Sequence, residues 1–263
     1  MSGREETPRG SARQSGTVVF FSNPLMSDAE SDWSPIHDAA FNGRVLALQK
    51  LIAQVNSSTV DGQTPLSEAC AQGHATCASL LLQHGATPLG TSLSSSPIHR
   101  AAAKGHPECI EPLVQHGADV DQYIEQSGPP LHTACSNQHL STVKKLLELG
   151  ASVNSSVSGD SPLHIAARLS SPELVSVLLD HGANHSLRNS EGKLPLDLVP
   201  PDSLVERLLR QAGGVSPLMQ LCRLRIRKTV GKRRLDGLHD LHLPTQVKQY
   251  LLYQSNRGED QMH

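Results

Sequence analysis

Histidines and cysteines are the residues of this 263-residue chain that could do chemistry, since imidazoles and thiolates act as bases, nucleophiles and metal ligands. Four of the fourteen histidines fall into register with a period of about 32 residues: His37, His99, His132 and His164. No carboxylate accompanies them in a matching pattern, as a metal centre or an acid–base pair would need. The pattern therefore predicts structural histidines that form local hydrogen bonds between successive units. Three others, His84, His116 and His181, each precede a glycine where a helix is expected to end, a favourable place for a partly positive ring.

The five cysteines are odd in number and contain no CxxC pair, which argues against both a disulfide framework and a zinc ribbon. Cys70, Cys77, Cys109, Cys135 and Cys222 all lie in apolar periodic segments, where a free thiol packs as a small hydrophobe. This usage favours a reducing, cytoplasmic setting. The chain also lacks a G-x-S-x-G motif and a glycine-rich phosphate loop. We therefore expect a non-enzymatic protein without a cofactor.

Composition narrows the classes of partner. The net charge of −2 gives no overall attraction to nucleic acid, and no apolar run approaches the roughly 18 residues that a membrane span needs. Residues 223–234 carry seven basic side chains in twelve positions, which could serve nuclear localisation or nucleic-acid binding. No aromatic residue is interleaved to stack on bases, so a solvated helix flank is the favoured interpretation. We expect neither nucleic acid nor membrane as a partner.

A short proline-containing string recurs along most of the chain. Full copies stand at residues 34–40, 64–70, 96–102, 129–135 and 161–167, and a degenerate copy stands at 194–198. Successive prolines of these copies are 30, 32, 33, 32 and 33 residues apart. Each copy resembles the ankyrin signature T-P-L-H-x-A, whose period is about 33 residues. The resemblance implies an all-α ankyrin-repeat solenoid over residues 34–212, with five full repeats and one partial repeat.

The repeat chemistry predicts where each helix begins and ends. Ser or Thr should cap the first helix of a repeat, with Pro in its first turn. Paired small residues such as Ala39 and Ala40 should let neighbouring helices approach closely. Gly43, Gly73 and Gly105 should end the first helices, and Gly-Ala pairs such as Gly117-Ala118 should end the second helices.

One repeat departs from this pattern at its end. After Leu51 the chain reaches Val55 and Asn56 without the Gly-Ala terminator, and about three residues are missing. The join near Gln54–Val55 has two interpretations, which the sequence leaves about equal. It is either the seam of an internal deletion of repeat length or a short turn tolerated in one repeat.

The composition shifts after Gly213-Gly214. On a helix, Leu218, Leu221, Cys222 and Ile226 form one apolar stripe. With Pro217 they resemble the Elongin-binding half of a SOCS box. About twenty residues later, Leu241, Leu243 and Pro244 resemble the cullin-binding half of the same box, although Gln246 stands where a second proline is usual. The resemblance implies a small helical SOCS box over residues 213–255, followed by a disordered tail at 256–263.

Ankyrin repeats followed by such a box resemble the ankyrin repeat and SOCS box family. The family implies a substrate-recognition adaptor of a cullin–RING ubiquitin ligase. The box would bind Elongin B, Elongin C and a cullin-five scaffold that carries a RING subunit, while the repeats would choose the protein to be ubiquitinated. A plain ankyrin scaffold or inhibitor without ligase activity is the alternative, which Gln246 and the seam keep open.

The N-terminal extension, residues 1–33, holds three of the seven aromatic residues of the chain. Its residues 22–28 and 31–35 are similar to the extension of the family member that binds creatine kinase, which implies creatine kinase as a substrate. The extension is either a cap over the apolar face of the first repeat or a flexible arm that grips the substrate. We favour a divided role, in which Trp33 packs as a cap and residues 17–28 contact the substrate. The candidate substrate-binding residues are Phe20, Phe21, Asn23, Leu25, Met26 and Trp33.

Overall fold

The structure is a computed structural model that describes residues 34–125, 127–212, 222, 225–226, 229–230, 244, 247–248 and 251. In the two long stretches the chain forms short α-helices, joined by turns and by two isolated antiparallel bridges. None of the described helices is long and apolar enough to cross a membrane. The helices are α1 (Pro35–Phe41), α2 (Val45–Lys50), α3 (Pro65–Ala71), α4 (Ala75–Gln83), α5 (Pro97–Lys104), α6 (Pro107–Gln115), α7 (Pro130–Ser136), α8 (Leu140–Glu148), α9 (Pro162–Arg168), α10 (Pro172–Asp180) and α11 (Leu204–Ala212). The all-α prediction is confirmed for these residues.

The helices form five successive pairs, each made of a first helix and a second helix. First helices α1, α3, α5, α7 and α9 pack against one another in a row, and second helices α2, α4, α6, α8 and α10 form a parallel row. A 3₁₀ helix, Pro195–Leu198, and α11 follow the fifth pair and pack against it. Each pair therefore buries its apolar face mainly against its neighbours, as in an elongated repeat array.

Small side chains at the middle of each first helix allow this close packing. Ala39, Ala69, Ala101 and Ala134 are all but fully buried, and so are Cys70 and Cys135 beside them. Larger aliphatic side chains complete the core between the two rows. The core thus needs few aromatic rings, in keeping with an aromatic content of 3%.

Every first helix begins at the signature proline, because a residue in the first turn needs no N–H to continue the helix. The expected side-chain cap is found at Thr64, whose hydroxyl accepts a hydrogen bond from the Ser67 N–H at 3.1 Å. At Ser34 and Ser96 the prediction is wrong, since neither hydroxyl bonds to a helix N–H. Those hydroxyls bind histidine rings instead.

Glycine ends the helices as the sequence predicts. Gly105 is the C-cap of α5 with φ of +82°, a left-handed conformation that side chains with a Cβ rarely adopt. Gly73 has φ of +76°, and a Cβ there would lie 2.5 Å from Nδ1 of His106. Both the backbone conformation and the close approach of the next repeat therefore require glycine at these turns.

The irregular repeat closes with a shortened helix. Helix α2 has six residues, whereas α4, α6, α8 and α10 have nine each, and a 3₁₀ helix at Ile52–Gln54 follows it. Asn56 then bridges to the next repeat through Nδ2 to the Gly85 carbonyl (3.0 Å) and Oδ1 to the Thr87 N–H (2.9 Å). Asn154 makes the equivalent pair of bonds at a regular junction. The missing residues thus shorten the helix but leave the connection between repeats intact.

Candidate partner-binding surfaces

The four signature histidines (His37, His99, His132 and His164) join each repeat to the next. In each, the ring Nε2 lies 2.9–3.3 Å from a backbone carbonyl about 28 residues later, at Gln63, Gly128, Asp160 and Lys193 respectively. A carbonyl can only accept, so Nε2 carries the proton and Nδ1 is left as an acceptor. The predicted structural role, a local bond between units, is confirmed.

Serine hydroxyls satisfy the Nδ1 atoms of three of these rings. Ser34, Ser96 and Ser161 lie 2.8–2.9 Å from Nδ1 of the histidine three residues later. In the fourth repeat Pro129 replaces the serine, and Nδ1 of His132 has no hydrogen-bond partner among the described residues. Burial lowers the pKa of His37, His99 and His132, because the interior disfavours the charged ring. These rings are therefore built to stay neutral.

A second set of histidines links the repeats, and sequence analysis did not identify it. His74 and His139 lie just before second helices, and their Nε2 atoms donate to the carbonyls of Phe41 and Ala103 in the preceding repeat, at 2.9 and 3.0 Å. The spacing of His74, His106 and His139 carries the signal, since it matches the repeat period. Within the described residues no group of three or more His, Cys, Asp or Glu side chains could hold a metal ion.

Four of the five cysteines pack in the core as the sequence predicts, and Cys222 does not. Cys70, Cys77, Cys109 and Cys135 are buried as free thiols, and burial raises the pKa of Cys135 to about 12. A thiol with such a pKa is a poor nucleophile at neutral pH. Cys222 is exposed.

One face of the array carries a different side chain in each repeat. The residue three positions after the signature proline, here called the variable position, is Asp38, Glu68, Arg100, Thr133 and Ile165 in turn. Side chains at neighbouring variable positions touch: Arg100 Nη2 lies 2.5 Å from Glu68 Oε1. Burial raises the pKa of Glu68 although this guanidinium is so close. Glu68 and Thr133 are buried, whereas Asp38, Arg100 and Ile165 are partly exposed, so a protein partner can contact these three on this face.

The loops that lead into the first helices add exposed apolar side chains. Val60, Leu93 and Tyr123, in three successive loops, are 86%, 40% and 58% exposed. Exposed aromatic and aliphatic residues in a series are typical of a protein-binding surface.

An open pocket of about 420 Å³ lies on the same face, between α7 and α9. Its walls come from both helices and from the intervening loop, and they include Thr133, Ser136, Val157, Asp160, Ile165, Arg168 and Leu169. Arg168 Nη2 lies 2.5 Å from Asp160 Oδ2, and Asn189 Nδ2 donates to Asp160 Oδ1 at 2.9 Å. Both oxygens of this carboxylate are therefore occupied within the protein.

Two residues of the predicted Elongin-binding stripe are described. Cys222 and Ile226 are helical, stand four residues apart and are both exposed, Ile226 by 40%. A helix brings such residues to one face. Pro217, Leu218 and Leu221 lie outside the described residues.

Of the predicted cullin-binding residues, Pro244 is described and Leu241 and Leu243 are not. Pro244 is exposed, and its carbonyl accepts the N–H groups of Val247 and Lys248 at 3.0 and 3.1 Å. Leu251, farther along, is 3% exposed. The expected substrate-contacting residues of the N-terminal extension, Phe20, Phe21, Asn23, Leu25, Met26 and Trp33, also lie outside the described part of the chain.

Comparison with known families matches both halves of the chain. A model for ankyrin repeats (3 copies) matches residues 36–124 and 98–189, and a SOCS box model matches residues 214–252. Ankyrin repeat and SOCS box protein 9 of Mus musculus is 44% identical over 319 residues, covering 95% of this chain and 98% of that protein. The Homo sapiens protein of the same name is 42% identical, with 90% and 92% covered. The crystal structure of the human ASB11 ankyrin repeat domain has a TM-score of 0.60 and 40% identity, covering 70% of this chain and all of that domain.

The alignment with the mouse protein extends over 319 residues, more than the 263 residues of this chain, so part of the relative has no counterpart here.

Proposed function

Because this chain belongs to the ankyrin repeat and SOCS box protein family, we propose that it is the substrate-recognition adaptor of a cullin–RING ubiquitin ligase. The match of residues 214–252 to a SOCS box, directly after an ankyrin array, carries this proposal. The protein itself makes and breaks no bond. It holds a substrate on the repeats and holds the ligase on the box, which raises the effective concentration of substrate lysines near the ubiquitin carrier.

Elongin B and Elongin C would bind through the stripe Pro217, Leu218, Leu221, Cys222 and Ile226. The exposure of helical Cys222 and Ile226 supports this, since both apolar side chains are free to enter a partner. At about 1.5–3 kcal/mol for each buried aliphatic side chain, the loss of two contacts removes most of a micromolar affinity. Co-expression of Leu218→Ser, Cys222→Phe with Elongin B and C should therefore give no complex.

Arg225→Ala is the matched control for that experiment, because Arg225 is helical and exposed between the two stripe residues but polar. It should co-purify with Elongin as the unchanged chain does. Elongin retained by the double variant, with normally folded repeats, would contradict the assignment of the box.

The cullin-five scaffold with its RING subunit would bind through Leu241, Leu243 and Pro244. The exposure of Pro244 supports a contact there, and its carbonyl lies at the start of a helical turn. Gln246, in place of the usual second proline, predicts weaker cullin binding. Gln246→Pro should therefore tighten cullin binding to the purified Elongin complex, as measured by biolayer interferometry, and leave Elongin binding unchanged. An unaltered cullin affinity would show that this position does not limit binding.

Creatine kinase is the substrate that the resemblance implies. Phe20, Phe21, Asn23, Leu25, Met26 and Trp33 would contact it together with the variable face. The test is ubiquitination of creatine kinase in a reconstituted system, with the full chain and with the Leu218→Ser, Cys222→Phe chain. Ubiquitin conjugates that require an intact box support a ligase adaptor leading to degradation. Binding of creatine kinase without conjugates would instead support a scaffold or inhibitor.

The cytoplasm is the compartment in which this adaptor would work. Four buried cysteines remain free thiols in the structure, which suits a reducing environment. Fractionation of cells that express the tagged chain tests this, and recovery with nuclei would favour the localisation-signal interpretation of residues 223–234.

A further inference from the structure

The pocket between α7 and α9 contains a hydroxyl that the fold does not use. Thr133 is 9% exposed, lines the pocket, and has no hydrogen-bond partner for Oγ1 among the described residues. A buried hydroxyl without a partner destabilises a protein, and valine would fill the same volume without that penalty. We therefore ask whether this hydroxyl binds a ligand.

Arg168 and Ser136 supply donors to the pocket, and the buried Nδ1 of His132 is an acceptor in the same lining. Arg168 uses one nitrogen for Asp160, and its side chain is 56% exposed, so other guanidinium N–H groups face outward. Ser136 is exposed at the end of α7 and adds a second hydroxyl. Asp160 is the acid in the wall, and Arg168 and Asn189 already bind its two oxygens. The pocket thus offers hydrogen-bond donors to a ligand and no free carboxylate.

Apolar side chains form the rest of the lining. Val157 lies in the loop before α9, Ile165 lies in α9, and Leu169 directly follows this helix and is 36% exposed. A ligand that suits this lining has a carboxylate beside an aliphatic group.

We propose that the α7–α9 pocket binds an acidic side chain, Asp or Glu, from an extended segment of a partner protein. Its carboxylate accepts from the Arg168 guanidinium and the Thr133 hydroxyl, and an adjacent aliphatic residue covers Ile165 and Leu169. A planar guanidinium matches a carboxylate with two parallel N–H bonds, which gives the site its preference for an acid over an amide. This inference rests on the proposed function, since the segment would belong to the substrate that the adaptor presents.

The probe is a library of random dodecapeptides displayed on phage, selected on the full chain in complex with Elongin B and C. Enriched peptides are then synthesised with a fluorescent label and titrated by anisotropy. We expect an Asp or Glu beside an aliphatic residue in the enriched peptides. Replacing that acid by its amide should weaken binding about tenfold, as one charge-assisted contact predicts.

Three variants assign the contact to this pocket. Arg168→Gln and Thr133→Val should each weaken the peptides about tenfold. Arg188→Gln is the control, because it removes one exposed positive charge from the next loop without touching this pocket. It should bind as tightly as the unchanged chain. Thr133→Val should also melt at the same or a higher temperature, since it removes an unpartnered buried hydroxyl.

Several results would overturn the proposal: no enriched peptide, enrichment without an acid, equal weakening by all three variants, or undiminished binding by both pocket variants. A Thr133→Val chain that melts well below wild type would assign the hydroxyl to the fold instead. Elongin co-purification should survive every one of these substitutions. If the pocket variants do not weaken peptide binding and Elongin still co-purifies, only the pocket proposal is refuted. If the unchanged chain forms no complex with Elongin, the adaptor proposal is refuted.

Discussion

Replacing Pro129 by serine should stabilise the array, because it returns to the fourth repeat a hydrogen bond that three others have. Nδ1 of His132 is buried without a partner, whereas a serine hydroxyl lies 2.9 Å from Nδ1 of both His37 and His99. The backbone already suits the change, since φ and ψ are −71° and 159° at Pro129 and −73° and 158° at Ser34.

The expected magnitude follows from two opposing effects. A new hydrogen bond to a buried and otherwise unsatisfied nitrogen contributes about 1–2 kcal/mol to the free energy of unfolding. Loss of the proline ring costs about 0.4–1 kcal/mol through the freer unfolded chain. Pro129→Ser should therefore gain up to about 1.6 kcal/mol, with a central value of about 0.8 kcal/mol. Pro129→Ala, which loses the ring without adding a hydroxyl, should lose about 0.4–1 kcal/mol.

Urea unfolding followed by circular dichroism measures both variants against the unchanged chain. The comparison of serine with alanine isolates the hydroxyl, and Ser96→Ala gives the reverse change in the third repeat, where Oγ lies 2.9 Å from His99 Nδ1. That variant should lose about 1–2 kcal/mol. Equal stability of Pro129→Ser and Pro129→Ala would refute the reasoning, as would an unaffected Ser96→Ala.

Three further predictions, on pH, Gly73 and Arg100, test how the repeats are held together, and Lys145→Ala is the control for the third. The free energy of unfolding should fall as pH drops from 7 toward 5.5, because burial lowers the pKa of three signature histidines. Their contribution to stability is full above the unfolded pKa of about 6.5 and is lost as pH falls below it. The raised pKa of Glu68 acts in the opposite direction. Urea midpoints across this range measure the effect, and a flat profile would contradict it. Gly73→Ala should lower the free energy of unfolding by about 2 kcal/mol or more in the same assay, since φ is +76° and the new Cβ would lie 2.5 Å from the His106 ring. A loss under about 0.5 kcal/mol would mean that the turn adapts. Arg100→Ala should cost about 3–5 kcal/mol, because it leaves Glu68 buried without its partner. Lys145→Ala breaks a more exposed pair between repeats and should cost about 1 kcal/mol or less, so equal losses would refute the argument from burial.

Much of the fold could be predicted from local residue patterns. Proline fixes the first turn of every first helix. Glycine supplies the left-handed residue after α1, α3 and α5, as at Gly73 and Gly105, whereas Gln138 and Ser170 supply it after α7 and α9. The repeat period places these signals once in about 33 residues, so one motif predicts the whole array. The spacing of the C-terminal apolar residues predicts one face of a helix, and the box itself could be predicted only because these residues resemble a SOCS box.

Tertiary structure alone decided which polar groups pair. Ser34 and Ser96 have the sequence of helix caps, yet their hydroxyls bind histidine rings that point toward the next repeat. His74 and His139 bond to carbonyls 33 and 36 residues away, and Glu68 meets Arg100 across 32 residues. A residue type and its local spacing determine backbone conformation, because that depends on near neighbours. The partner of a side chain depends on which atoms the stacking of whole repeats brings within about 3 Å. These atoms come together only when the array has formed.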